Sequence, residues 1–127
     1  MIGHPHLTTQ AFENQAQLLR LLAHPARLAI LNILRDGEHC VCHLEAHLGL
    51  RQAYISQQLM LLREAGLIQD RRDGWNVFYR VSDPRVFAVL DAATRMLPAA
   101  GGAPGVPAVD CPCPHCRPGG KAPQSSS

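Results

Sequence analysis

No uninterrupted apolar run in this 127-residue chain approaches the roughly 20 residues that a membrane span needs. The opening stretch MIGHPHLTTQAFENQ lacks a basic segment followed by an apolar one, so no secretion signal is expected and the cytoplasm is the default compartment. Charge of one sign is also lacking. The formal net charge is only +2, so any case for a nucleic-acid partner must rest on where the charges sit. No Ser/His/Asp set, carboxylate dyad or phosphate-cradling loop occurs in a workable order, which argues against an enzyme. No internal repeat is present. Cysteine is absent everywhere except in two clusters, Cys40/Cys42 and Cys111/Cys113/Cys116. In a reducing compartment five cysteines are not a disulfide framework, and their clustering points to metal or redox chemistry.

What is there is enough for one domain with a single core, 46% of the residues being hydrophobic. Between Thr9 and Leu22, Phe12, Leu18, Leu19 and Leu22 recur at helical spacing behind Thr8/Thr9 as candidate caps. His24-Pro25 opens a second helix, with proline at its first position. That helix carries Leu28, Ile30, Leu31, Ile33 and Leu34, more than one stripe, and stops near Asp36-Gly37. Two short helices follow, about Val41 to Leu48 and Gln52 to Ala65, separated by Gly49-Leu50-Arg51. A short glycine-containing turn between two such helices is the helix-turn-helix signature. Strand-like runs then flank Asp73-Gly74, a strong hairpin signal, with Val77, Tyr79 and Val81 alternating on one face. A hairpin directly after a helix-turn-helix is a wing. Asp83-Pro84 starts a last helix with Val86, Val89, Leu90, Ala93 and Leu97 on one stripe. The expected fold is mainly α (α+β): a winged helix-turn-helix of about five helices plus a β-hairpin over residues 1–97. Residues 98–127, rich in Gly, Pro and Ser, read as a disordered tail unless something binds its cysteines.

The second helix of such a motif lies in the major groove with its first turns against base edges. Here those turns carry Arg51, Gln52, Tyr54, Ser56 and Gln57, while Ile55, Leu59 and Leu62 occupy the core-facing stripe. Arginine reads guanine and glutamine reads adenine in bidentate fashion; serine and tyrosine suit phosphates or bases. At the wing, Arg71 and Arg72 are placed to act on phosphates or the minor groove.

The stretch LLAHPARLAILNILRDGEHCVCHLEAHLGLRQAYISQQLMLLREAGLIQDRRDGWNVFYRV resembles the ArsR/SmtB family of metal-responsive repressors. It shares a Pro-Ala-Arg helix start, CVC before the helix-turn-helix, SQQL in the recognition helix, LREAGLI and an Arg-rich Asp-Gly wing. The resemblance runs continuously from about Gln17 to Val81. It implies a homodimer joined through the first and last helices, repressing an operon on double-stranded operator DNA until an effector binds. The apolar stripes Phe12/Leu18/Leu22 and Val86/Val89/Leu90/Leu97 suit that interface. Two-fold symmetry then sets the recognition helices about one DNA turn apart on a near-palindromic operator.

Cys40-Val41-Cys42 resembles the family's cysteine pair. Residues two apart on a regular helix diverge, so both thiolates meet one ion only at an irregular helix start, which is where they fall. A helix N-terminus also favours the thiolate that metals need. Two ligands do not make a tight site. Arsenic-sensing relatives can carry a third cysteine three residues after the pair, but Glu45 stands there. The last helix offers only Asp83 and Asp91, without histidine, so the histidine/carboxylate site of zinc-sensing relatives is not expected on it. The missing ligands are expected from Cys111, Cys113 and Cys116, with His115 between two of them. A connector of about 13 residues spans roughly 20 Å by random-coil scaling, enough to reach either subunit. Thiolates select soft ions. Three sulfurs suit As(III) or Sb(III), four suit Cd(II), Pb(II) or Zn(II), with a slight preference here for As(III). His39, His43 and His47 read as surface histidines. Two alternatives stay open: a thiol-redox-sensing repressor of the same fold, and a metal-binding module without gene control.

Overall fold

The computed structural model describes residues 6–98. Five helices and three strands follow in the order α1 (His6–Leu22), α2 (Pro25–Ile33), β1 (His39–Cys40), α3 (Val41–Leu48), α4 (Gln52–Glu64), β2 (Ile68–Asp73), β3 (Asn76–Val81) and α5 (Arg85–Arg95). This is the winged helix-turn-helix architecture expected from the sequence, with a sheet of order β1-β3-β2. The expected disordered tail, with Cys111, Cys113, His115 and Cys116, lies outside the described residues.

Local chemistry sets the element boundaries. Pro25 begins α2, and the His24 ring caps it by accepting the Ala26 amide at 3.3 Å. Gly49 ends α3 in the left-handed conformation (φ 66°), which makes the turn into α4 possible. The Asp83 carboxylate accepts the Arg85 amide at 3.1 Å where α5 starts. Gly74, at φ 63°, closes the hairpin between Asp73 and Asn76. Helix α1 begins at His6, so Thr8 and Thr9 lie inside it rather than capping it. Threonine costs a helix interior only a few tenths of a kcal/mol, too little to force a boundary.

Leu31, Leu44, Ile55, Leu59 and Leu62 are fully enclosed, joined by Ile30, Ile68 and Val86. They gather α2, α3, α4, the base of the wing and α5 around one core. Fully burying each such side chain is worth about 1.5–3 kcal/mol. Leu22 and Val86 belong to this core, not to the outward stripes assigned to them from periodicity. A helical stripe records which residues are apolar and not which neighbour they meet. Phe12, Leu18, Leu19, Val89, Met96 and Leu97 remain exposed on α1 and after it on α5 and its C-terminal end.

Candidate nucleic-acid interface and cysteine pair

Helix α4 is held by its buried face. Ile55, Leu59 and Leu62 are enclosed as expected, leaving Arg51, Gln52 and Gln57 exposed on the other side. Ser56 is half-buried. Tyr54 is half-buried too, and its hydroxyl lies 3.2 Å from His24 Nε2. Because His24 Nδ1 accepts the Ala26 amide, the neutral ring carries its proton on Nε2 and donates it to the tyrosine. The same pair therefore caps α2 and ties it to the first turn of α4. A second tie lies one helical turn on. Arg27 donates to Gln58 Oε1 at 2.8 Å and to the Leu21 carbonyl at 2.9 Å. Gln58 is the buried polar side chain of the core. Arg27 and Gln58 enter the sequence analysis only as members of the Pro-Ala-Arg and SQQL motifs; their contact does not, since a polar residue inside a SQQL run reads as part of the outward face.

The wing pairs β2 with β3 from Ile68↔Val81 to Asp73↔Asn76. Arg72 is exposed near its tip, where the sequence reading put it. Arg71 is differently engaged. Its guanidinium meets the Glu38 carboxylate at 2.8–3.1 Å and lies 5.0 Å from the centroid of the Phe78 ring. These hydrogen bonds and the nearby charges of Arg71 and Arg80 hold the Glu38 carboxyl below its usual range, against a smaller opposing effect of burial.

Cys40 is 3% exposed and Cys42 half-buried, with their Sγ atoms 2.9 Å apart. Cys40 is the extended residue immediately before α3, at φ −85° and ψ 168°, and Cys42 lies in the helix's first turn. That irregular start turns both sulfurs to one side, as the sequence required. The pair packs with Ala46 and Phe78, and Cys40 is in register with Phe78 across the sheet. The β1 strand responsible was absent from the sequence reading, because two residues have no periodicity to detect.

The fit to a soft ion is partial. Two sulfurs bound to one tetrahedral ion at about 2.3 Å stand roughly 3.8 Å apart, so the pair must open by about 1 Å to bind. Among the described residues no group of three or more His, Cys, Asp or Glu is arranged to hold a metal. His39, His43 and His47 are half-buried rather than at the surface. Their rings form a ladder with centroids 4.0 and 4.2 Å apart, and His39 Nε2 lies 2.9 Å from Asp36 Oδ1.

A recognition helix with an outward polar face, seated on a three-strand winged sheet, defines a winged helix-turn-helix DNA-binding protein. Comparison with known proteins specifies it further. Residues 24–70 match the model of the bacterial regulatory protein, arsR family. The biofilm growth-associated repressor of Agrobacterium fabrum is 46% identical over 77 residues, covering 61% of this chain and 66% of that protein. Its counterpart in Xylella fastidiosa (strain Temecula1) is 37% identical over 92 residues, covering 69% of this chain and 81% of the relative. Among solved structures, the homodimeric winged helix-turn-helix domain of Mb0332 from Mycobacterium bovis superposes with a TM-score of 0.62 at 28% identity, covering 75% of this chain and 91% of that one. The chain belongs to the arsR family and is a DNA-binding transcriptional repressor of that family.

Proposed function

We propose that this repressor binds a near-palindromic operator as a homodimer and releases it when a thiophilic metal or metalloid engages Cys40 and Cys42. The observation that carries the reading is the pair itself: two thiols 2.9 Å apart, one buried against the wing strand through Phe78. Opening that pair around an ion pushes on the residue in register with Cys40, and so on the wing. Typical coupling free energies of about 1–3 kcal/mol weaken operator binding by one to two decades, enough for release. The described residues supply two ligands, and Cys111, Cys113 and Cys116 are the sequence's candidates to complete the set. The ion is As(III) or Sb(III) with three sulfurs and Cd(II), Pb(II) or Zn(II) with four, As(III) being slightly preferred.

The DNA contacts assigned are Arg51, Gln52, Ser56 and Gln57 at base edges or phosphates and Arg72 at the wing. Tyr54 and Arg71 act from positions set by His24 and Glu38. The exposed Phe12, Leu18, Leu19, Val89 and Leu97 form the dimer surface, in keeping with the homodimeric relative from M. bovis. Location in the cytoplasm goes with this role.

The test is a fluorescence-anisotropy titration of the reduced protein on its own promoter DNA, adding each of the five ions separately. One ion is expected to release the DNA, with the response lost in Cys42→Ser and in a chain ending at Leu97. If truncation leaves release intact, the shared site fails. The 2.9 Å separation also favours a second reading, in which an oxidant couples the two thiols. Release by peroxide without metal, reversed by dithiothreitol, selects it.

A further inference from the structure

We infer that Trp75, at the tip of the wing, is a DNA contact that packs its indole against sugar and base edges in the minor groove beside each recognition helix. The inference rests on the reading of the chain as an operator-binding repressor and names a contact which that reading did not contain. Trp75 is the single tryptophan of the chain and is 98% exposed. It plays no part in the core. A tryptophan of this exposure has a large apolar surface, about 150–250 Å² when buried in the usual case, to offer to a partner. The backbone that carries it is braced. Six register pairs from Ile68↔Val81 to Asp73↔Asn76 brace the hairpin, whose base is anchored by buried Leu67 and Ile68.

Charge at the wing makes the indole more telling. Strand β2 reads Ile-Gln-Asp-Arg-Arg-Asp, so its two arginines are balanced by two aspartates. Arg71 is bound to Glu38, Arg80 donates to Gln69 at 2.7 Å, and Asp70 pairs with Arg63 at 3.1 Å. Arg71 and Arg80 share the Glu38 carboxylate, and exposed Arg72 has Asp73 beside it. A wing with so little net charge is poorly built as a phosphate clamp. What its tip does present is a flat apolar ring carried on a braced backbone. Apolar side chains of this kind enter the minor groove and lie against its walls or wedge between base steps. The hairpin follows the recognition helix directly, with only residues 65–67 between α4 and β2, so the two elements are tied closely together.

Because no other tryptophan is present, emission of the full-length protein excited at about 295 nm, where Tyr54 and Tyr79 do not absorb appreciably, reports this residue alone. The experiment titrates a promoter duplex, followed by Trp75 emission and, with labelled DNA, by anisotropy. Emission is expected to be quenched and shifted in step with the anisotropy rise. Trp75→Ala is expected to weaken binding roughly tenfold, by the worth of one aromatic–nucleotide contact, and Trp75→Phe to recover part of it. The salt slope stays unchanged in both, whereas Arg72→Ala lowers it by about one unit. Its exposure means that the alanine variant melts like the parent protein. If anisotropy saturates while emission and the affinity of Trp75→Ala are unchanged, the inference is overturned and the repressor reading stands. An emission change that follows protein concentration without DNA overturns it in favour of a contact between copies. Absence of any duplex binding by the parent protein removes both readings.

Discussion

Gln58 sits among apolar neighbours at 5% exposure, in the middle of the recognition helix. A buried amide is tolerated there because Arg27 donates to its oxygen, and Arg27 is itself held on the Leu21 carbonyl. Removing the arginine leaves an unsatisfied buried acceptor, at a cost of about 1–3 kcal/mol. Arg27→Ala is therefore expected to lower the thermal midpoint by roughly 4–8 °C per kcal/mol lost, measured by circular dichroism. An unchanged midpoint would show that water or a rotated Gln58 takes over the role. The cysteines separate on the same grounds. Cys40 is buried against Phe78 and Cys42 is only half-buried, so Cys40→Ser destabilises more than Cys42→Ser, and Cys42→Ser is the cleaner probe of effector response. None of these partners was legible in the sequence. Arg27 and Gln58 are 31 positions apart, and no local pattern announces a hydrogen bond over that distance.

At the scale of elements, the segment before α3 and the wing form one mechanical unit. β1 pairs with β3, Cys40 opposite Phe78, and Glu38 next to it grips Arg71 on β2. A disturbance at the cysteine pair thus reaches the wing through a backbone ladder and an ion pair. The lowered carboxyl of Glu38 gives this a pH signature. A carboxylate depressed in the folded state stabilises above its unfolded value and loses that contribution as pH falls through the folded one. Acidification through that lowered value therefore breaks the Glu38–Arg71 link. Asp36, depressed chiefly by its bond to His39, adds to the loss in the same window. Protection factors of the β2 and β3 amides, which correct for the intrinsic slowing of exchange in acid, are expected to fall on acidification from pH 5 to 3. In Glu38→Gln the wing exchanges faster at pH 5 and responds less to acid. Equal acid responses in the two proteins would rule the link out as a brace of the wing. The helix-turn-helix and the Asp-Gly hairpin were legible because each has a local signal, a glycine turn and a turn dipeptide between periodic runs. The third strand was not, since it exists only through its partner.

For the whole molecule, the apolar residues left outside the core set the expectation. Phe12 is 63% exposed and Leu18, Leu19, Val89, Met96 and Leu97 are exposed with it, on the first and last helices and the residues after α5. Among the described residues of one copy, nothing encloses them. Leu19→Glu, which removes nothing from the core, is expected to shift the proposed dimer to monomer in sedimentation equilibrium. It would weaken operator binding at least tenfold through loss of the paired half-site contacts. A dimer that persists at micromolar concentration would move the interface elsewhere.

The sequence by itself determined the helix-turn-helix, the wing, the core stripe of α4 and the irregular helix start that brings Cys40 and Cys42 to one side. Each of these follows from local conformational preference or from the period of apolar residues, which a linear chain displays. Tertiary structure alone decided that Leu22 and Val86 serve the core, that Arg71 is committed to Glu38, and that Cys40 abuts the wing through Phe78. Those outcomes depend on which residues distant in the chain come to share a contact. Burial and charge pairing are properties of neighbours in space, and these are chosen only when the helices close around their common core.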